Sequence, residues 1–164
     1  MDDARLNAPS DLADAVASEA SGRLTLGPLG NVLGFHLAKA SVFTFALFEQ
    51  HVGQPLNLRK VEFSLLMLLL ANGPLSPKRL AQALALSAPA LTSLLDRLQD
   101  RGLLLRERSQ VDRRSQNIRL TDDGLQLAEA AAREAAPMEQ AVLQRLSVAE
   151  RAMLIELLGK VGGR

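Results

Sequence analysis

The side chains best suited to chemistry in this 164-residue chain are arginines. Arg106, Arg108, Arg113 and Arg114 fall within nine residues, with Asp112 among them, in a polar stretch between two short apolar runs. Guanidinium groups clustered on one loop bind polyanions, and arginines on a protruding loop suit a narrow minor groove, where negative potential is concentrated. The bias extends beyond the cluster. Residues 76–120 hold nine basic and four acidic side chains, a net charge of +5. The rest of the chain holds ten basic and fourteen acidic ones, a net charge of −4. A basic middle with acidic flanks points to a local polyanion site. A solubilising loop would show the same charge, so the elements that carry the arginines must decide between the two.

Other chemistries lack their residues. The chain has no cysteine, which removes disulfides, thiolate metal sites and thiol catalysis together. Its two histidines, His36 and His51, lie fifteen residues apart on one predicted helix. At 1.5 Å per residue they stand about 22 Å apart, too far to share a metal ion or a substrate. Gly27-Pro28-Leu29-Gly30 does not follow a strand, so it is no dinucleotide fingerprint. Neither an enzyme, a metal site nor a cofactor is expected. The apolar stretch from Val32 to Phe48 is marginal in length for a membrane span and carries Lys39 near its middle. It reads as a helix buried between protein surfaces. Met1-Asp2-Asp3 is acidic, unlike the start of a signal peptide, so a cytoplasmic protein without a membrane role is expected.

The elements around the arginines form a consistent order. A long helix is predicted from about Leu29 to Val52, closed by Gly53 and Pro55, and a second from about Leu58 to Ala71, closed by Asn72-Gly73-Pro74. Ser76 caps a short helix with Pro77 at its first position, running to about Leu84. Ser87 caps the next, which ends at Gly102. In it Leu91, Leu94, Leu95 and Leu98 form one buried stripe at helical spacing. Residues 103–106 and 116–120 read as two strands of a hairpin with the arginine segment between them. Thr121 caps an alanine-rich helix in which Pro137 predicts a kink and which reaches about Leu146. Ser147 to Glu150 is a capping box opening a last helix to about Leu158, with Gly159 ending it.

Two short helices joined by a tight turn and followed by a hairpin are the winged form of helix-turn-helix. The fold class is therefore mainly α with a small β-hairpin wing. On the second short helix Pro89, Ser93, Asp96 and Asp100 lie opposite the leucines, with Thr92 and Arg97 flanking. Small side chains let such a helix approach base edges closely in the major groove. The candidate DNA-binding residues are Ser76 and Ser87 at the helix N-termini, Pro89, Thr92, Ser93 and Arg97 on the second helix, and Arg108, Asp112, Arg113 and Arg114 on the wing. For Ser87 capping alone, and for Thr92 and Ser93 plain solvent exposure, are the simpler alternatives.

Here the residues carry a resemblance. Leu80-Ala81, Leu91-Thr92, Leu94-Leu95-Asp96-Arg97-Leu98, Arg101-Gly102-Leu103, Asp112-Arg113-Arg114 and Leu120-Thr121-Asp122-Asp123-Gly124 are similar to the multiple-antibiotic-resistance regulator (MarR) family over roughly residues 30–160. The resemblance implies a homodimeric regulator, in most cases a repressor, whose first and last helices intertwine and which releases palindromic operator DNA on binding a small aromatic or phenolic acid. It also implies that Asp112 holds Arg114 for the minor groove and that Thr92 lies at the DNA surface. Ala88 and Ser93 depart from the family pattern, which shifts sequence preference toward the wing and DNA shape, and Arg59 stands where the family often has a threonine cap.

A dimer follows separately from the first helix, where four of the five phenylalanines lie: Phe35, Phe43, Phe45 and Phe48. One small domain does not cover such a helix on all sides. His36 and Phe43 are the candidate effector contacts, against the simpler reading of His36 as a hydrogen-bonded interface residue. The expected organisation is a mobile arm over 1–28, an N-terminal dimerisation helix over 29–57, a winged helix-turn-helix DNA-binding domain over 58–121 and C-terminal dimerisation helices over 122–164. Two readings share these features in part: a winged-helix dimerisation module with no DNA role, and a general architectural DNA binder.

Overall fold

Four hydroxyl side chains set the helix starts. Ser76, Ser87, Thr121 and Ser147 each accept a hydrogen bond from the backbone N–H three residues on. The computed structural model describes residues 24–108 and 116–163. These fall into two compact units, one up to Val42 and one from Phe43 on.

The first unit opens with a 3₁₀ turn, Gly27–Asn31. Helix α1 is Leu33–Phe48. It was expected to stop at Gly53 and Pro55, and it does not. A π turn, Glu49–Gly53, and a final helical turn, Gln54–Leu56, continue it. The wider π turn accommodates the ring and missing N–H of Pro55, which an α-turn would not. What ends the helix is Asn57, in the left-handed conformation at φ 49°. Helix α2 is Lys60–Asn72, α3 is Pro77–Leu84 and α4 is Ala88–Asp100.

Between α3 and α4 the chain turns through Ala85, also left-handed, whose N–H reaches the carbonyls of Ala81 and Gln82. Beyond α4, Gly102 at φ +71° makes the turn into the hairpin. Strands β1, Leu104–Arg108, and β2, Gln116–Leu120, pair antiparallel, with Leu104 opposite Leu120 and Arg106 opposite Ile118. Leu75 adds an isolated antiparallel bridge to β2: its N–H donates to the Ile118 carbonyl at 3.0 Å and its carbonyl accepts from the Ile118 N–H at 2.8 Å. Helix α5 is Asp122–Leu143, with Pro137 inside it, and α6 is Val148–Val161. Gly159 was expected to end α6. The helix runs through it, because a single interior glycine costs only about 1 kcal/mol.

The leucine stripe is buried as its spacing predicts. Leu91, Leu94, Leu95 and Leu98 join Leu65, Leu69, Leu80, Leu104 and Ile118 in one core. A second cluster gathers Phe48, Val52, Leu58 and Leu66 with Ala128 and Ala131 of α5. Burying one leucine contributes about 2 kcal/mol, several times the roughly 0.5 kcal/mol of an exposed ion pair. The stripe, rather than the surface pair Arg106–Asp96, therefore holds α4 to its domain. Among the described residues no helix is long and apolar enough to cross a membrane.

The strand-to-helix junction explains the Leu-Thr-x-x-Gly run. The Thr121 hydroxyl donates to the Gly102 carbonyl at 2.6 Å and accepts from the Gly124 N–H at 3.0 Å. The Thr121 N–H bonds the Leu103 carbonyl at 3.2 Å. Gly124 packs so closely on Leu103 that a β-carbon there would collide with that same carbonyl.

Candidate nucleic-acid interface

Helix α4 presents its small residues outward. Pro89, Thr92, Ser93, Asp96 and Asp100 are exposed, opposite the buried leucines. Ser87 is exposed at the head of α4, and its Oγ accepts from the Ala90 N–H at 3.4 Å. The Thr92 hydroxyl donates back to the Ala88 carbonyl at 3.0 Å, so its proton is used within the helix and its oxygen keeps both lone pairs as acceptors. Ser76 is half-buried and caps α3 through the Arg79 N–H.

An open groove of about 790 Å³ lies between α3, α4 and the hairpin. Lys78, Gln82, Thr92, Arg106 and Gln116 line it with polar groups, while Ala81, Leu91 and Leu95 form its apolar floor. Arg106 on β1 pairs with Asp96 on α4, so the hairpin and the exposed helix are tied directly. On the hairpin, Arg119 donates to Glu107 at 2.9 Å across the strands. Arg108 is exposed at the end of β1. Asp112, Arg113 and Arg114 lie outside the described residues.

Arg97 is the sequence candidate that the structure turns elsewhere. Its Nε donates to Glu62 Oε1 of α2 at 2.8 Å, while its side chain stays 37% exposed. Arg101 joins it, Nη1 reaching Glu62 Oε2 at 3.2 Å. Glu62 is 2% exposed and also accepts from the Arg59 N–H at 2.9 Å. Sequence reasoning missed this network. The available signals were a glutamate three residues after Arg59, which precedes α2, and two arginines one turn apart at the end of α4.

Burial pushes the Glu62 carboxyl up, but the Arg59 amide, the Arg97 guanidinium and the Arg101 charge more than offset it and hold it below the usual carboxylate range. Because the folded state lowers this pKa, the stability it contributes is present above the unfolded value near 4.5 and is lost as pH falls through the folded value. Urea midpoints are expected to fall between pH 5 and pH 3 in the parent and to fall less in Glu62→Gln, within about that carboxylate window. Equal acid sensitivity in both would show that Glu62 does not carry the effect.

The two effector candidates fall in different units. His36 is exposed, and its Nε2 lies 2.8 Å from the Gly30 carbonyl. Phe43 is half-buried, and the Arg145 guanidinium lies 3.8 Å from its ring centroid. A different cavity, of about 200 Å³, lies within the second unit among Phe45, Phe48, Phe63 and Met138, with Lys60 and Ser64 on its lining. Lys60 also stands 4.1 Å over the Phe45 ring and 3.8 Å from Glu49. Among the described residues no group of three or more His, Asp or Glu side chains is assembled to hold a metal ion.

A helix-turn-helix whose second helix shows a small outer face, flanked by an arginine-bearing hairpin, defines a winged helix-turn-helix DNA-binding protein. A family model described as MarR family matches residues 56–115. The chain is 32% identical to the transcriptional repressor CouR bound to a 23-mer DNA duplex, with a TM-score of 0.77 over 85% of this chain and 99% of that one. It belongs to the MarR family and is a DNA-binding transcriptional regulator of that type. It is also 39% identical over 103 residues to the regulator PecS of Dickeya dadantii, covering 61% of this chain and 62% of PecS. BpsR of Bordetella bronchiseptica, whose DNA binding is regulated by 6-hydroxynicotinic acid, matches at 28% identity and a TM-score of 0.73, over 82% of this chain and 95% of that one.

Proposed function

We propose that this protein is a sequence-specific repressor that binds a two-fold-symmetric operator as a homodimer and is released by a small aromatic acid. The observation that carries the DNA reading is the joint presentation of one small-faced helix and one basic hairpin on the same groove. Ser87, Pro89, Thr92 and Ser93 approach base edges and phosphates from α4, Ser76 approaches the backbone from the head of α3, and Arg108, Arg113 and Arg114 approach from the wing. Asp112 orients Arg114. Arg97 is left out of this set, because Glu62 already holds it.

The dimer is supported by apolar surface without cover in one chain. On α6 Val148, Met153, Ile155 and Val161 are each about 60–80% exposed, and on α1 Leu33 is about half exposed. Apolar patches of this kind mark protein–protein contacts. The organisation proposed from the sequence is kept: residues 29–57 and 122–164 dimerise and 58–121 bind DNA, while the arm assigned to 1–28 lies, up to residue 23, outside the described residues. Repression is supported by the likeness to CouR, and an effector by the likeness to BpsR. The effector cavity we favour is the one lined by Phe45, Phe48 and Phe63, where the Lys60 ammonium suits a carboxylate. This moves the contact from His36 and Phe43 to neighbouring residues.

Footprinting on the intergenic DNA beside the gene, with light scattering of the complex, tests the reading. Two protected half-sites about 34 Å apart are expected, with a particle containing two 17.7-kDa chains. An aromatic carboxylate added to the same complex is expected to release the DNA. A single asymmetric half-site with one chain bound would overturn the dimeric reading, and DNA retained with every aromatic acid tried would remove the effector.

A further inference from the structure

Among the described residues Glu62 is the one charged side chain that is buried, and none of its bonds faces the groove. Both of its oxygens are occupied. Oε1 accepts from Arg97 Nε, and Oε2 accepts from the Arg59 N–H and from Arg101 Nη1. Arg101 makes one more bond: Nη2 donates to the Asn57 carbonyl at 3.1 Å. Asn57 is the left-handed residue that ends the first helix, and Arg59 precedes α2. Glu62 and Arg101 together therefore join three parts of the chain: the start of α2 and the last turn of α4 on the carboxylate, and the end of the first helix through the second nitrogen of Arg101.

The clamp holds the last turn of α4, about one turn beyond Thr92 and Ser93 and about 15 Å along the helix from its head at Ser87 and Pro89. Helix α4 is a rigid rod of about 20 Å at 1.5 Å per residue. A small change of angle at its last turn therefore displaces its first turn. Base contacts tolerate little displacement, whereas phosphate attraction is long-ranged and tolerant. A buried ion pair adds little net stability over an apolar one, but its fixed hydrogen bonds impose one geometry.

We propose that Glu62 is a positioning residue for DNA recognition, holding the last turn of α4 through Arg97 and Arg101 and so setting the angle at which α4 meets the bases. This rests on α4 being the reading helix.

The test uses the full chain and two probes: a duplex enriched by the parent protein from a random 30-base-pair pool, and a scrambled duplex of the same composition. Glu62→Gln keeps the shape and removes the charge. Arg101→Lys keeps the charge and loses the fork that spans Glu62 and Asn57, and its side chain is 31% exposed, so it tests the clamp even where Glu62→Gln does not fold. For each folded variant, affinity for the enriched duplex is expected to drop about tenfold, with scrambled-duplex affinity and salt slope within about twofold of the parent. A role confined to stability would leave both affinities intact at temperatures where the protein is folded.

Parent-like binding of the enriched duplex by both variants would overturn the proposal. So would an equal loss on both duplexes with a shallower salt slope in Arg97→Gln, which would make Arg97 a phosphate contact. A combined Thr92→Ala and Ser93→Ala variant separates the two levels. If it binds the enriched duplex like the parent, α4 is not the reading helix and the proposal falls with that assignment.

Discussion

Gly124→Ala is expected to destabilise the protein by roughly 3 kcal/mol, at the upper end for overpacking a site that cannot relax. The added methyl group meets the backbone carbonyl of Leu103, not a side chain that could swing away. That carbonyl already accepts from the Thr121 N–H, and the Leu103 N–H donates to the Leu98 carbonyl in the last turn of α4. Relief would have to move the start of the hairpin, the start of α5, or both. Urea unfolding followed by circular dichroism measures the loss. Gly159→Ala is the matched control. It lies inside α6 with nothing within 4 Å of the added carbon, so it is expected to gain up to about 1 kcal/mol from reduced freedom of the unfolded chain. A Gly124→Ala midpoint equal to that of the parent would mean that the close approach to Leu103 is not required.

Arg114→Ala is the second variant with a large expected effect, this time on binding. A groove contact of this type contributes about 1–3 kcal/mol per subunit. A dimer places two such arginines on one operator, so the loss counts twice. The plot of log affinity against log salt should also become shallower, since fewer counterions are released. Asp112→Ala should show a milder loss, because the arginine remains but its orientation does not. Ser93→Ala removes one hydroxyl and no charge, so it should change preference among operator variants and leave the slope nearly unaltered. Binding at several salt concentrations for the three variants decides the matter. An Arg114→Ala protein with parental affinity and slope would remove the wing from the interface.

The order of elements was legible in the chain because each signal is local. A cap acts three residues ahead, so Ser76, Ser87, Thr121 and Ser147 could be read directly, and each is a cap in the structure. A stripe at i, i+3, i+4 and i+7 needs only one helix, so the buried face of α4 and its small outer face followed from Leu91 to Leu98. The winged helix-turn-helix class and the basic charge of its middle were determined at that level. Stop signals were less reliable. Gly53, Pro55 and Gly159 argue locally against helix, yet the π turn accommodates Pro55 and α6 runs through Gly159.

Which polar group meets which was decided only by the tertiary structure. Nothing near Glu62 in the chain announces that Arg97 and Arg101, some 35 to 39 positions away, will close over it. Charge and helical position placed Arg97 on the DNA face, and in the structure its Nε also supplies one of the partners that the buried Glu62 carboxylate requires. The pairing of Leu75 with Ile118, the guanidinium of Arg145 over Phe43, and the aromatic cavity beside Lys60 have the same origin. Periodicity settles which side of an element is buried. The neighbour it is buried against depends on how separate elements pack, and this sequence carries no local mark of that.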